Sequence, residues 1–534
     1  MIAPAASFNL LTEPWIPVIG TDAQRREVGL NELLLDARGI RRIVGDTPPM
    51  TAALYRLALA LLHRAYGPVD EDAWGHLWSA KQLPSAKLRD YAAGQSDRFD
   101  LFHPERPFLQ SPALARITPS TVAKLVPHLA VGNNVTLFDH TTAGDRTVLS
   151  PAQAARWLVT AQAFDPGGMK TPFEKVKSSE RAPCNLLGVV LVEGGDLKET
   201  LLLNALTYAP DLQTPYMTSS RDMPAWEEPD PPEGAPGERR ARGWTDLLTW
   251  PSRRILLVPT VSGDTVVVDG VVLTPGVRFK GDLPEEEKMA AFRRPLGPNG
   301  KPKKDAPLLP IRLNPLRGVW RHSVELLMID LRQEGRTRIR PRALEQIAAL
   351  AGDGHIPRDA VYTLRVLGQQ LDKNASVVEA YLEEQVPAPV PLLRARDTSL
   401  GALIGSAIAL ADNAGAALRH MERDYNKDKR ADPTSTLDVA YWPQLPRRFA
   451  TFLREVARAH DADEPESDAV EQWTREVYRI AKQAAERWAE RAPADTRDVF
   501  LMGKHLRAFH TRLNVLVDNF RREARSYTTK GRIA

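Results

Sequence analysis

Residues 166–170 read Pro-Gly-Gly-Met-Lys. Adjacent glycines lack the Cβ atoms that hold a backbone away from another surface, and a lysine two residues on suits a phosphate. These residue types in this order favour close contact with a polyanion, although a plain tight turn uses the same pair. A second run, Val131–His140 (VGNNVTLFDH), sets a flexible Gly132-Asn133-Asn134 ahead of Phe138. Basic charge gathers in two places. Five Lys/Arg and no acid lie between Arg293 and Lys304, in a Pro/Gly-rich stretch, and eight Lys/Arg face two acids from Lys504 onward. Each phosphate touched by such residues would add salt-dependent affinity. A solvated surface is the plainer reading of the same charges.

Arrangements that could do bond-making chemistry are mostly missing. The segment GPNGKPKK departs from the order of a phosphate loop, and Pro302 removes a backbone donor where a phosphate cradle needs one. His322 and Glu325 stand three apart in a helical pattern without a second such pair, which argues against a di-metal carboxylate site. Neither a Gly-x-Ser-x-Gly elbow nor a His-Glu-x-x-His motif occurs, and Cys184 has no neighbouring motif of a nucleophile. As the single cysteine, Cys184 also excludes an internal disulfide and a Cys-rich zinc site. No catalytic residue, cofactor or metal is expected.

The elements that must position these segments form two compositional regimes. At 534 residues the chain exceeds what one hydrophobic core usually supports, and 43% hydrophobic with 26% charged residues suits an ordinary globular protein. The net charge of +4 is too mild to point to nucleic acid by itself. The longest apolar run suited to a helix, Thr51–Leu62, is broken by Arg56 and too short for a bilayer. The N-terminal residues lack the basic-then-apolar order of a secretion signal, so a cytoplasmic protein that meets no membrane is expected.

The fold class expected is α+β: a large mixed, irregular N-terminal domain (1–391) and a C-terminal antiparallel four-helix bundle (392–534). In the first part, β-like Arg254–Val258 and Thr265–Val268 alternate with helical Met50–Tyr66, Pro151–Ala163, Arg321–Gln333, Pro341–Ala351 and Arg358–Leu371. Ser150 reads as a cap, with proline at the first helical position. Glu227–Arg242 and Arg293–Pro307 read as exposed loops. The Pro-rich Gln385–Pro391 reads as the boundary. Beyond it lie four amphipathic helices, Leu400–Arg423, Leu445–His460, Asp468–Arg491 and Asp498–Ser526. In the last, Val499, Met502, Leu506, Phe509, Leu513, Leu516 and Phe520 advance in steps of three and four, one stripe of a helix.

Several landmarks, in one order, resemble a known family. They are Phe8–Val18 (FNLLTEPWIPV), His103–Gln110 (HPERPFLQ), Gly132 through Phe138, Pro166–Lys170, Leu201–Leu206 (LLLNAL), Gly243–Pro251 (GWTDLLTWP) and the helical C-terminal third. The chain resembles the CasA-type large subunit of Cascade, the type I-E CRISPR surveillance complex. The resemblance implies a non-catalytic subunit in which guide RNA reads sequence by pairing while protein reads a short flanking motif of double-stranded DNA, a division of labour known from another effector. It implies a glycine loop, a lysine and a wedge that act from the minor groove, which is narrow and degenerate in its hydrogen-bond pattern. By position these map to Gly167 and Gly168 with Lys170 nearby, to Lys280 (Arg278 and Lys288 being alternatives), and to Lys373-Asn374-Ala375 in LDKNAS at the end of a helix. Asn133, Asn134 and Phe138 map to the loop that docks on the guide RNA. Arg447, Arg448, Arg521, Arg522 and Arg525 become contacts to the displaced strand.

The partners implied are the target duplex, the guide RNA, the other Cascade subunits including the small-subunit dimer, and a helicase–nuclease effector. Two departures stand out: Asn374 where the best-known member has a longer glutamine, and Phe164 near the position of the family's first loop glycine. The four zinc-binding cysteines of some members are absent. A nucleic-acid-processing hydrolase whose carboxylates meet only in the fold, and a purely structural scaffold, are the alternatives.

Overall fold

The computed structural model describes residues 6–129, 147–229, 236–263, 265–297, 302–314, 318–332, 335–430, 436–490 and 496–530. At its centre lies the helix Pro48–Tyr66, which starts because the Thr47 side chain accepts from the Met50 amide and two prolines occupy positions whose N–H groups would go unused. It is buried around most of its circumference. Arg56 sits in its middle, and its guanidinium meets Glu287 at 3.0 Å, with the two side chains 2% and 0% exposed. Beside it packs Pro151–Phe164, closed at its start by a reciprocal capping box between Ser150 and Gln153.

Both helices lie near a three-stranded antiparallel sheet in which Val361–Leu371 is flanked by Val189–Glu193 and Val378–Pro389. The register pairs Leu364 with Val192 on one side and with Val386 on the other. Residues 361–371 therefore form a central strand rather than the helix expected over Arg358–Leu371. β-Branched and aromatic residues at Val361, Tyr362, Thr363 and Val366 favour the pleat. Arg358 belongs to the preceding element, its guanidinium donating to the carbonyls of Ala351 and Gly352. Gln385–Pro391, read as the boundary from its composition, is ordered backbone here. It ends an edge strand and opens the short helix Val390–Arg394, with Val386, Ala388 and Val390 buried.

The hairpin Arg253–Ser262/Thr265–Pro275 extends the short strands read from the sequence. The expected helix Arg321–Gln333 shrinks to Val319–His322 and Ser323–Leu327. Asp330 stops it by accepting from the amides of Arg332 and Thr337, which offers the backbone a turn instead.

Four long helices follow: Thr398–Lys429, Leu445–Asp461, Ser467–Ala489 and Thr496–Lys530. The end of the first meets the start of the last (Lys429–Asp498, 2.6 Å), and the start of the third meets the end of the last (Arg521–Glu471, 2.8 Å). These pairs are thus antiparallel. In the last helix the expected stripe is buried or half-buried from Met502 to Phe520, but Val499 is 59% exposed. The sequence reading that Thr51–Leu62 is the longest apolar helical run is revised. Thr398–Lys429 is long and apolar enough to span a bilayer by length and composition, and most of that stretch is buried against its neighbours. One continuous apolar core runs from Leu10 to Ala524. Trp320, Phe449 and Trp473 join its two ends, with ring centroids 4.7 and 5.3 Å apart along the chain of contacts.

Candidate functional site

The glycine turn begins where the helix Pro151–Phe164 stops. Asp165 takes an extended conformation, Pro166 cannot continue the helix, and Gly168 adopts a φ of +112° that an L side chain resists. Phe164 is the buried last residue of that helix, so it is not a loop position. Residues Gly168–Phe173 then pair with Val176–Ser179 to make a short hairpin. Gly168 and Met169 at its start are exposed.

One buried guanidinium ties both feet of this hairpin. Arg253 donates from Nε to Asp165 Oδ2 (2.5 Å) and from Nη2 to the carbonyls of Asp165 (3.1 Å), Pro166 (3.1 Å) and Glu180 (2.8 Å). The Lys170 ammonium also reaches Asp165 Oδ2, at 2.7 Å, with a side chain only 13% exposed. Burial alone would raise the Asp165 carboxyl, but Arg253 and Lys170 outweigh it and hold the group below its ordinary value. Lys170 therefore faces inward and braces the turn in this conformation. Asn185 adds amide donors to the carbonyls of Phe164 and Asp165 at 2.7 and 2.8 Å.

The segment Lys373-Asn374-Ala375 lies at the tip of the long hairpin between Val361–Leu371 and Val378–Pro389, not at a helix end. Lys373 and Asn374 are exposed. The Asp372 carboxylate accepts from the amides of Asn374 (3.2 Å), Ser376 (2.7 Å) and Val377 (2.8 Å), and these donors, led by Val377 and Ser376, hold it below its ordinary value. Ala375 takes a left-handed φ of +56°. Its carbonyl accepts from the Gly167 amide at 3.0 Å, so two segments some two hundred residues apart meet directly. A Cβ on Gly167 would lie 3.5 Å from that oxygen and 3.2 Å from the Arg181 amide nitrogen.

Lys280 directly follows the two-residue strand Arg278–Phe279. Its ammonium is 55% exposed and pairs with Glu238 at 3.2 Å. Arg278 joins this strand to the glycine hairpin by reaching Glu180 at 3.2 Å. A cleft of about 390 Å³ separates them, lined by Ser178–Arg181 on one wall and Glu238, Arg278 and Phe279 on the other. Lys288 does not qualify as the alternative: it is buried, donates to the Glu285 carbonyl, and burial pushes its ammonium down to about 8.

The five bundle arginines do not form one cluster. Arg447 and Arg448 lie on Leu445–Asp461, and Arg521, Arg522 and Arg525 on the last helix. Glu476 and Glu471 of the intervening helix take Arg448 (3.4 Å) and Arg521 (2.8 Å). Asn133, Asn134 and Phe138 lie outside the described residues. Cys184 is fully buried, which pushes its thiol up to about 12. His322 faces Glu325 at 4.0 Å, and burial drives its imidazole down to about 3. The sequence reading missed Asp165, Arg253 and Asp372. Asp165 could have been found from its place before Pro-Gly-Gly, whereas Arg253 carries no local signal.

A family model described as CRISPR-associated protein Cse1 matches residues 9–484. The chain is 36% identical over 430 residues to the CRISPR-associated protein CasA/Cse1 of Thermus thermophilus, covering 79% of this chain and 78% of that protein. The crystal structure of Thermobifida fusca Cse1 is similar with a TM-score of 0.80 and 30% identity, covering 97% of this chain and 99% of that one. A chain of a CRISPR RNA-guided surveillance complex shares the fold with a TM-score of 0.70 at 21% identity, covering 95% and 99%.

Proposed function

From the premise that this chain belongs to the CRISPR-associated Cse1 (CasA) family, we propose that it is the non-catalytic large subunit of a type I-E Cascade. In that role it reads a short motif flanking the target from the minor groove of double-stranded DNA. The observation that carries the reading is the hydrogen bond from the Gly167 amide to the Ala375 carbonyl at 3.0 Å, which sets an exposed glycine turn beside an exposed hairpin tip. A minor groove roughly 6 Å wide admits backbone without side chains more readily than a bulkier loop. The tip, with Lys373 and Asn374 foremost, then enters between base pairs. Unstacking one step costs about a few kcal/mol, offset by guide RNA pairing. Lys280, one residue beyond the Phe279 that lines the cleft beside the turn, serves as a phosphate or groove contact. Lys170 acts behind the turn, through Asp165. The bundle arginines line the path of the displaced strand, with the small-subunit pair beside them, and the DNA-bound state presents a surface to the helicase–nuclease. Asn133, Asn134 and Phe138 supply guide RNA docking. The protein works in the cytoplasm, and the chemistry on DNA belongs to the effector.

The test is Gly168→Asp in the assembled complex. Gly168 has open space around it, with the nearest atom to an added Cβ at 4.0 Å, so the substitution strains φ without a clash in the fold. Flanking-motif-dependent duplex binding should disappear while guide RNA assembly persists. Unchanged target binding by this variant refutes the site.

A further inference from the structure

Arg253 and Val277 line the cleft beside the glycine turn and also a second cavity, of about 290 Å³. That size is at the lower end of the roughly 300–1,000 Å³ of small-molecule sites, and the walls have the mixture such sites show. Pro107, Leu109, Ala225, Trp226 and Pro251 supply apolar surface. Trp226 is held in place, its Nε1 donating to the Tyr91 hydroxyl at 2.7 Å and its ring packed on Phe99 and Phe108. Arg98, Arg106, Arg239, Arg253 and Arg254 line the cavity against two acids, Glu228 and Asp246. Both acids are already engaged. Asp246 accepts from Arg239 Nη1 (2.5 Å) and Nη2 (2.9 Å) and from the Arg242 amide (2.9 Å). Glu228 pairs with Arg242, which stands outside the lining, as does the Asp165 that takes Arg253. Arg98 is half-buried and donates to the backbone carbonyls of Glu228 (3.1 Å) and Pro229 (3.3 Å), meeting no carboxylate among the described residues.

Ser111 on the same wall is 3% exposed. Its amide donates to the Ile255 carbonyl at 2.9 Å, yet its hydroxyl makes no hydrogen bond among the described residues. Buried hydroxyls almost always find a partner, so one left over on a cavity wall marks where a ligand's acceptor belongs. An excess of guanidinium in a partly enclosed space is costly unless an anion completes it, and the planar fork suits phosphate oxygens. The apolar walls call for more than a bare ion. We propose that this cavity binds a small organic phosphate of about mononucleotide size. Its phosphate lies against Arg98 and the Ser111 hydroxyl, and its body against Leu109 and Trp226. The ligand then sits behind the glycine turn, on the guanidinium that ties both feet of that hairpin.

The full-length chain would be titrated calorimetrically at low salt with AMP, and separately with adenosine and inorganic phosphate. AMP should bind with a dissociation constant below about 1 mM. Adenosine should give no heat, and inorganic phosphate should bind more weakly than AMP and compete with it. Arg98→Gln and Ser111→Ala should each weaken AMP about tenfold, the scale of a lost hydrogen bond to a charged group. Lys482→Gln, on the bundle helix Ser467–Ala489, should leave the affinity unchanged. Ser111→Ala removes an oxygen with no partner in the protein, so it leaves the fold intact and decides the matter if Arg98→Gln fails to fold. No saturable AMP binding in that range, adenosine bound as tightly as AMP, or undiminished binding to Ser111→Ala each overturn the site. No DNA enters the titration, so its failure leaves the DNA-reading function to its own test.

Discussion

Replacing Arg253 with methionine tests whether one buried guanidinium holds the glycine turn in place. The side chain is 2% exposed and, besides its bonds to Asp165, Pro166 and Glu180, donates to the Ser252 carbonyl at 2.7 Å. Methionine is unbranched and flexible enough to fill much of the same volume, but it offers no donor. Asp165 would keep only Lys170 at 2.7 Å, and four backbone carbonyls would each lose a donor. Removing one partner of a buried pair costs on the order of 3–5 kcal/mol, a large share of the roughly 5–15 kcal/mol that keeps a protein folded. The urea midpoint should fall by that equivalent with an unchanged slope, amide exchange over residues 167–180 should quicken, and motif-dependent DNA binding should suffer more than guide assembly. Adding Asp165→Asn should restore part of the stability. The stranded carboxylate is then gone, and Lys170 can turn to water. A loss under about 1 kcal/mol, the size of a single ordinary hydrogen bond, or a double variant no better than the single one, would refute the reasoning.

Acid should weaken the same turn. The Asp165 carboxyl is held below its ordinary value of 3.8, so its contribution is complete above that pH and is lost as pH falls through the lower, folded value. Wild-type stability should therefore drop below about pH 4 more steeply than that of Arg253→Met, measured by urea titrations at stepped pH. Asp372→Ala removes the acceptor shared by the amides of Asn374, Ser376 and Val377. Exchange at those three amides should accelerate and opening of the first target base pairs, followed by a fluorescent base analogue, should slow. The global midpoint should stay in place, and a shift in it would mean that the tip supports the core.

Helices whose apolar residues face a single direction were readable from the residues alone. The stripe from Met502 to Phe520 and the cap at Ser150 are local patterns with local causes. The strand Val361–Leu371 was not, because Leu364 to Gly368 are buried without alternation and period two vanishes in a strand covered on both faces. Pro387 and Pro389 read as breakers, yet they lie in an edge strand, where a missing N–H on the outer side is harmless. At the site, Gly167 and Gly168 announced themselves by type. The tip residues were reachable only by resemblance, since nothing local in LDKNAS foretells a partner at Ala375 some two hundred positions from Gly167. Arg253 and Asp165 form their pair across 88 positions, beyond any periodic signal.

The burial of Cys184 has a practical consequence at the bench. A thiol that stays protonated and walled off from solvent leaves the native chain silent toward maleimides and other thiol reagents. A cysteine introduced at the exposed hairpin tip, as in Asn374→Cys, becomes the one reactive handle without the native cysteine being removed first. A fluorophore attached there would test the proposed insertion in real time, since its emission should change on target binding only if the tip leaves water for stacked bases.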